Sequence, residues 1–303
     1  MFEAEASFWK APAARGMKEL LKQVRRLELI AGKHAYSVLK GDYLTSVPGD
    51  GLEFMEARRY VFGESVRKID WNITARMRTP YVRIFQEERE REIFIVLDVS
   101  PSMHAGWQSR RKIEYAAEIA ATLAHSAVQA GDRLGLVAYS DRVRASYPTE
   151  KGKVQLYRVV RAIYESAVET PAPCKVSDMR QAIFEIQKMR GRRFVIFFIS
   201  DFIDFDVPED LKYLQALHEV YLLHLYDPLE YEAAREISFL SRSPEGKRRP
   251  GSATPGSAGS LERITSYLKE EAGRHKIRCV SLSTAAPMKK NLHELISMLR
   301  ARK

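Results

Sequence analysis

Asp98-Val99-Ser100-Pro101-Ser102-Met103 places one carboxylate and two hydroxyls at alternate residues directly after an apolar run, Ile93–Leu97. A second carboxylate comes in Ile199-Ser200-Asp201, at the end of the most apolar run in the chain, Phe194–Ile199. A third segment, Val176-Ser177-Asp178-Met179, offers another hydroxyl at the start of a helical pattern. Oxygen donors of these types suit a hard divalent cation, Mg²⁺, Mn²⁺ or Ca²⁺, whereas zinc prefers His and Cys. If Ser100, Ser102 and Ser177 bind directly while Asp98 and Asp201 act largely through water, the metal keeps much of its charge. Its vacant position then attracts a carboxylate from outside. The plainer alternative is a strand-to-helix turn in which Ser and Asp satisfy backbone amides.

These segments are useful only if the fold brings them to one edge. From Ile93 onward apolar strands alternate with helical stretches, which predicts a parallel sheet covered on both faces. Strands are expected at 93–97, 133–139, 194–199, 220–225 and 277–282, with 143–147 as a hairpin partner of the second. Helices are expected over 112–130, 154–167, 179–189, 209–218, 261–273 and 292–301. In such sheets ligands sit at the carboxyl ends of the strands, which is where Asp98 and Asp201 fall. The two come together if their strands are neighbours.

Upstream, residues 16–31 read as an amphipathic helix with Leu20, Leu21, Val24, Leu27 and Ile30 at three- and four-residue steps. Gly41, Pro48, Gly49 and Gly51 punctuate a loop, extended runs are expected at 54–61 and 81–87, and no helix is expected between them. Residues 241–260, rich in Ser, Gly, Pro and base, read as a mobile loop. The expected division is an N-terminal helix and β appendage over 1–91 and an α/β domain over 92–303.

Composition narrows the function classes. The 303 residues carry 49 Lys and Arg against 39 Asp and Glu, so 49 − 39 gives a formal charge of +10. Acids are interspersed, as in Glu87-Glu-Arg-Glu-Arg-Glu92, and purely basic runs such as Lys247-Arg-Arg249 are no longer than three residues, so nucleic-acid binding is not expected. The longest apolar stretch, Phe194–Ile199, falls far short of the roughly 20 residues that cross a bilayer, so no membrane insertion is expected. The first ten residues lack a basic start followed by an apolar block, and Cys174 and Cys279 are too few for a disulfide framework. A cytoplasmic location is the expectation.

Taken together, Asp98-x-Ser100-x-Ser102, Ser177 and Ser200-Asp201 resemble the metal-ion-dependent adhesion site of von Willebrand factor type A domains. That family usually has Thr at the third segment, where this chain has Ser177. A closer resemblance extends upstream through Gly51–Tyr60, Phe62–Trp71 with its Arg67-x-Ile69-Asp70-Trp71 stretch, Thr74-Ala-Arg76 and Tyr81-Val-Arg83. With Asp98–Met103 it is similar to the bacterial family of domain of unknown function 58. That family combines a type A module with a partnership to MoxR-type AAA+ ATPases. The resemblance implies a doubly wound, Rossmann-like α/β fold and a metal set of Asp98, Ser100, Ser102, Ser177 and Asp201. It also implies a non-enzymatic binding module whose partner is such an ATPase or its client.

The cluster of Arg67, Asp70, Trp71 and Arg76 has two readings. One is an ion-pair network fastening the appendage to the α/β domain, with Trp71 as packing area. The other makes Arg58, Arg59, Arg67 and Arg76 a docking face for an acidic partner. Two further functions stay open: a metal-free scaffold, and a metal-dependent phosphoester hydrolase with Asp178 or Asp204 as base. His104, Met103, Trp107 and both cysteines are read as structural.

Overall fold

The computed structural model describes residues 48–49, 53–86, 90–105, 111–169, 177–189, 191, 193–203, 209–228 and 260–300, together with Leu29. Apart from Leu29 and Ser260, the helix expected over 16–31 and the loop expected over 241–260 lie outside the described residues, as do Trp107, Cys174, Asp204 and Asp206. The chain divides into two compact units, a smaller one over Asp42–Glu90 and a larger one that includes Arg91–Lys303.

The smaller unit holds β1 (Pro48–Gly49), β2 (Glu53–Arg59), α1 (Trp71–Met77) and β3 (Tyr81–Gln86). Its strands lie in the order β1-β3-β2, all antiparallel. Two expectations change here. Pro48 and Gly49, expected in a loop, pair with Gln86 and Phe85 as a two-residue edge strand, the position where Pro is tolerated because its missing N–H faces no ladder partner. Residues 71–77, expected to be non-helical, form a helix. Asp70 caps it by accepting from the backbone N–H groups of Asn72 (2.9 Å) and Ile73 (3.2 Å). Arg78, at φ 56°, closes it with a left-handed residue.

The larger unit is an α/β fold on a six-stranded sheet. Its elements are β4 (Glu92–Asp98), α2 (Pro101–His104), α3 (Lys112–Gln129), β5 (Arg133–Tyr139), β6 (Val143–Glu150), α4 (Gly152–Val168) and α5 (Met179–Gln187). They continue with β7 (Phe194–Ser200), α6 (Glu209–Leu217), β8 (Glu219–Tyr226), α7 (Ser260–Arg274), β9 (Arg278–Ser283) and α8 (Met288–Arg300). The strand order is β6-β5-β4-β7-β8-β9, parallel throughout except for the β5–β6 hairpin.

β4 and β7 lie side by side, with Leu97 opposite Ile199, so the chain leaves β4 toward one side of the sheet and returns on the other. That reversal opens a crevice at their carboxyl ends. Both strands are buried on both faces, which is why they read as unbroken apolar runs rather than alternating ones. On one face Phe94, Val96, Ile196 and Phe198 pack with Met179, Ile183, Leu211, Leu214 and Leu268 from α5, α6 and α7. The other face takes the alanine-rich α3, whose small side chains let it lie buried beside α4. Each fully buried large aliphatic or Phe side chain stabilises this core by about 1.5–3 kcal/mol.

Candidate metal site

The carboxyl ends of β4 and β7 bring together the five donors expected from sequence. Asp98 ends β4 and is 2% exposed; Ser100 and Ser102 in the turn that follows, and Asp201 after β7, are likewise buried. Asp98 organises the cluster. Its Oδ1 accepts from the Ser100 backbone N–H (2.9 Å), and its Oδ2 accepts from the hydroxyls of Ser200 (2.7 Å) and Ser177 (3.3 Å). Ser100 Oγ and Ser102 Oγ are 3.0 Å apart and hydrogen-bonded to each other.

Local backbone chemistry fixes each segment. The Val99 N–H donates to the Tyr139 carbonyl (2.8 Å), tying the turn to the end of β5. The Asp178 N–H donates to the Ser140 carbonyl (2.8 Å), and the Asp178 carboxylate caps α5 by accepting from the Arg180 N–H (3.1 Å), so half-buried Ser177 is held against β5. After β7 the chain bends sharply: Phe202 takes a left-handed φ of 46° and its N–H donates to Ser200 Oγ (3.0 Å). A non-glycine residue in that region is strained, and the bend follows directly on buried Asp201.

Sequence reasoning missed one member. Lys112, the first residue of α3, is fully buried, and its Nζ lies 2.8 Å from Asp201 Oδ2. Arg111 sets its position by pairing with Glu114 (2.7 Å) and donating to the Ala167 carbonyl at the end of α4 (3.1 Å). Two signals were available. Lys112 falls four residues before Ala116 on the buried stripe of α3, and a cation in the first turn of a helix opposes its macrodipole. Ser200, which the sequence reading placed in the segment but not among the donors, is also a direct partner of Asp98.

The electrostatics follow from burial. Desolvation, and next the charge of Asp201, push the Asp98 carboxyl up to about 6, against the opposing hydrogen bonds of Ser200 and Ser100. Burial likewise raises the phenol of Tyr139 well above its ordinary range, and the charge of Asp98 adds to this. His224, opposite Ser200 on β8, is fully buried and lowered to about 4 by desolvation, so it is neutral. Its Nδ1 lies 3.1 Å from Ser281 Oγ, and its Nε2 has no hydrogen-bond partner.

A hard divalent cation suits this donor set. Every donor in the set is oxygen, and two hydroxyls lie within hydrogen-bond distance of each other beside a desolvated carboxylate. Among the described residues no cluster of three or more His, Cys, Asp or Glu side chains is placed to hold a metal, so a cation here depends on the serine hydroxyls.

The remaining sequence candidates separate from this centre. Arg58 is engaged by Glu64, which its guanidinium holds below the ordinary carboxylate range. Arg59, Arg67 and Arg76 are exposed. Trp71, expected as packing area, is 66% exposed, because the helix it begins is short and the buried member of that stretch is its cap, Asp70. His104, at the end of α2, is half-buried, and desolvation followed by the charge of Arg111 lowers it to about 4. Met103 is fully buried, and burial pushes the Cys279 thiol up to about 12, so it is inert at neutral pH. No helix among the described residues is long and apolar enough to cross a membrane.

The sequence matches the family described as "Protein of unknown function DUF58" over residues 56–236, a span that includes all five donors and Lys112. It is 32% identical over 216 residues to uncharacterized proteins of Mycobacterium tuberculosis and Mycobacterium bovis, an alignment covering 71% of this chain and 67% of each relative. Among solved structures it is similar to the conserved hypothetical protein BatB from Bacteroides thetaiotaomicron, at 17% identity and a TM-score of 0.42, covering 69% of this chain and 98% of that one. It is also similar to the SpRpn10 VWA domain, at 10% identity and a TM-score of 0.37, covering 68% and 94% respectively.

Proposed function

The chain belongs to the DUF58 family of proteins, and we propose that it is a protein-interaction module that presents a divalent cation, Mg²⁺ or its Mn²⁺ or Ca²⁺ equivalent, to a carboxylate on a partner. The observation that carries the reading is the convergence of Asp98, Ser100, Ser102, Ser177 and Asp201 at the crevice between β4 and β7. When bound, the cation supplies a Lewis-acidic position that a carboxylate oxygen can fill. The protein's own part is to hold the hydroxyls in place and keep Asp98 oriented. The resemblance read from the sequence makes a cytoplasmic MoxR-type AAA+ ATPase, or its client, the partner we propose, with exposed Arg59, Arg67 and Arg76 available to acidic groups on it.

Binding is favoured over hydrolysis because Asp178, the described candidate for a general base, is committed to capping α5. One observation favours a second reading, a metal-free scaffold: Asp201 already has a cation, the ammonium of Lys112.

A pull-down with a MoxR-type ATPase separates the two. We expect capture in Mg²⁺ that is lost in EDTA and lost with Asp98→Ala at an unchanged melting temperature. Capture that persists in both would reject the metal bridge and favour the scaffold.

A further inference from the structure

A lysine has no role as a metal ligand, yet Lys112 is among the most completely buried large side chains of the chain and lies against a donor of the candidate metal site. Burying an ammonium is costly unless a partner compensates it, and Asp201 does so at 2.8 Å. Were the pair only a brace, any well-packed apolar residues would serve as well. Its effect on charge is specific to the site. The two carboxylates of the donor set, Asp98 and Asp201, against the ammonium of Lys112 leave one net negative charge among these three buried groups, which form the charged centre of the site. A divalent cation then makes that centre net positive by one, whereas without Lys112 the loaded centre would be neutral.

We propose that Lys112 is a built-in counter-ion that sets the ligand charge of the site: it weakens cation binding and leaves the loaded centre positive, so that the site takes an anionic ligand, the carboxylate of the proposed function. This rests on the metal reading of the same residues. The empty centre, net negative, repels the carboxylate that the loaded centre attracts, so the cation reverses the sign of the field rather than merely cancelling it. Coulomb interactions between groups a few ångströms apart in a desolvated centre are large enough for one charge to shift affinity by about tenfold or more.

The test is Mn²⁺ affinity, read by electron paramagnetic resonance of free Mn²⁺ on full-length protein, in four forms: wild type, Lys112→Met, Asp201→Asn, and the double variant. Affinity should follow the charge of the centre. Lys112→Met should bind Mn²⁺ about tenfold tighter than wild type, and the double variant about tenfold tighter than Asp201→Asn. The second comparison isolates the ammonium with Asp201 neutral in both proteins, so the proposal stays testable if Lys112→Met does not fold. Acetate added to the Mn²⁺-loaded proteins should bind more weakly in each Lys112→Met form than in its Lys112 parent.

If wild type binds Mn²⁺ but removing Lys112 leaves affinity unchanged or lowers it, this proposal fails while the metal reading stands. If none of the four forms binds Mn²⁺, the metal reading fails and this proposal with it.

Discussion

The six-stranded sheet has two ends, built from the same strands and from similar residue types, and among the described residues their polar groups are arranged differently. At the amino end Glu92 Oε2 accepts from Thr149 Oγ1 (2.7 Å), Arg133 donates to the Thr149 carbonyl (2.9 Å), and the Arg91 N–H reaches Asp132 (3.0 Å). Thr149 thus joins Glu92 and Arg133, and these groups stand around a cavity of about 380 Å³ lined by Glu92, Arg133, Pro148, Thr149, Glu150 and Met189. At the carboxyl end the polar groups share one another: Asp98 serves Ser100, Ser177 and Ser200 at once, and Asp201 is held by Lys112. The amino end lines a cavity, and the carboxyl end gathers convergent, desolvated oxygen donors. The chemistry follows the donors.

The sharpest contrast should come from breaking one charge at each end. Asp201→Ala takes a carboxylate away from the buried Lys112 ammonium, and should cost about 3–5 kcal/mol in urea unfolding. Glu92→Gln at the amino end keeps an acceptor for Thr149 and should cost less than about 1 kcal/mol, with divalent-cation affinity unchanged. Equal losses would mean that the two ends are not energetically distinct.

A second test uses pH on the metal-free protein. Asp98 titrates higher when folded, at about 6 against an ordinary 3.8, so its contribution is present below pH 4 and is lost as pH rises through 6. His224 titrates lower when folded, at about 4 against 6.5, so its contribution is present above pH 6.5 and is lost as pH falls toward 4. Each is on the order of 3 kcal/mol, and in wild type they oppose one another over the same window. Asp98→Asn should therefore expose a loss of stability on acidification, and His224→Gln a loss on alkalinisation, both read as urea midpoints between pH 4 and 7. Identical profiles in all three proteins would contradict the assignment of these buried groups.

A smaller effect is expected at Ser177, the most solvent-accessible donor. Ser177→Ala should weaken Mn²⁺ binding by about fivefold, the value of one hydrogen-bond-scale interaction of about 1 kcal/mol, while Ser177→Thr should keep it. An alanine variant that binds like wild type would remove Ser177 from the donor set.

Which parts of this were legible before the fold was known follows from what periodicity records. Doubly buried strands such as β4 and β7 leave unbroken apolar runs, and α3 leaves an alanine stripe, so the sheet, its hairpin β6 and its longer helices could be read directly, while the four-residue α2 could not. The Asp98 turn and Asp201 were legible because strand ends locate them. Helix α1 was hidden because its residues, Trp71 to Met77, have no buried face, and only the cap at Asp70 signals its start. Lys112 was hidden for the opposite reason: a lysine on a buried stripe contradicts the pattern, and a residue-by-residue reading assigns it to solvent. Its role depends on Asp201, 89 residues away in sequence.

The central claim is that the crevice between β4 and β7 binds a divalent cation through Asp98. Calorimetric titration of Mg²⁺ and Mn²⁺ into the protein and into its Asp98→Ala variant tests it directly. Saturable binding of one ion in wild type that vanishes in a variant of unchanged fold is the predicted result. Equal heats in both proteins, or no binding in either, would contradict it and leave the Asp98–Ser102 turn as a structural device.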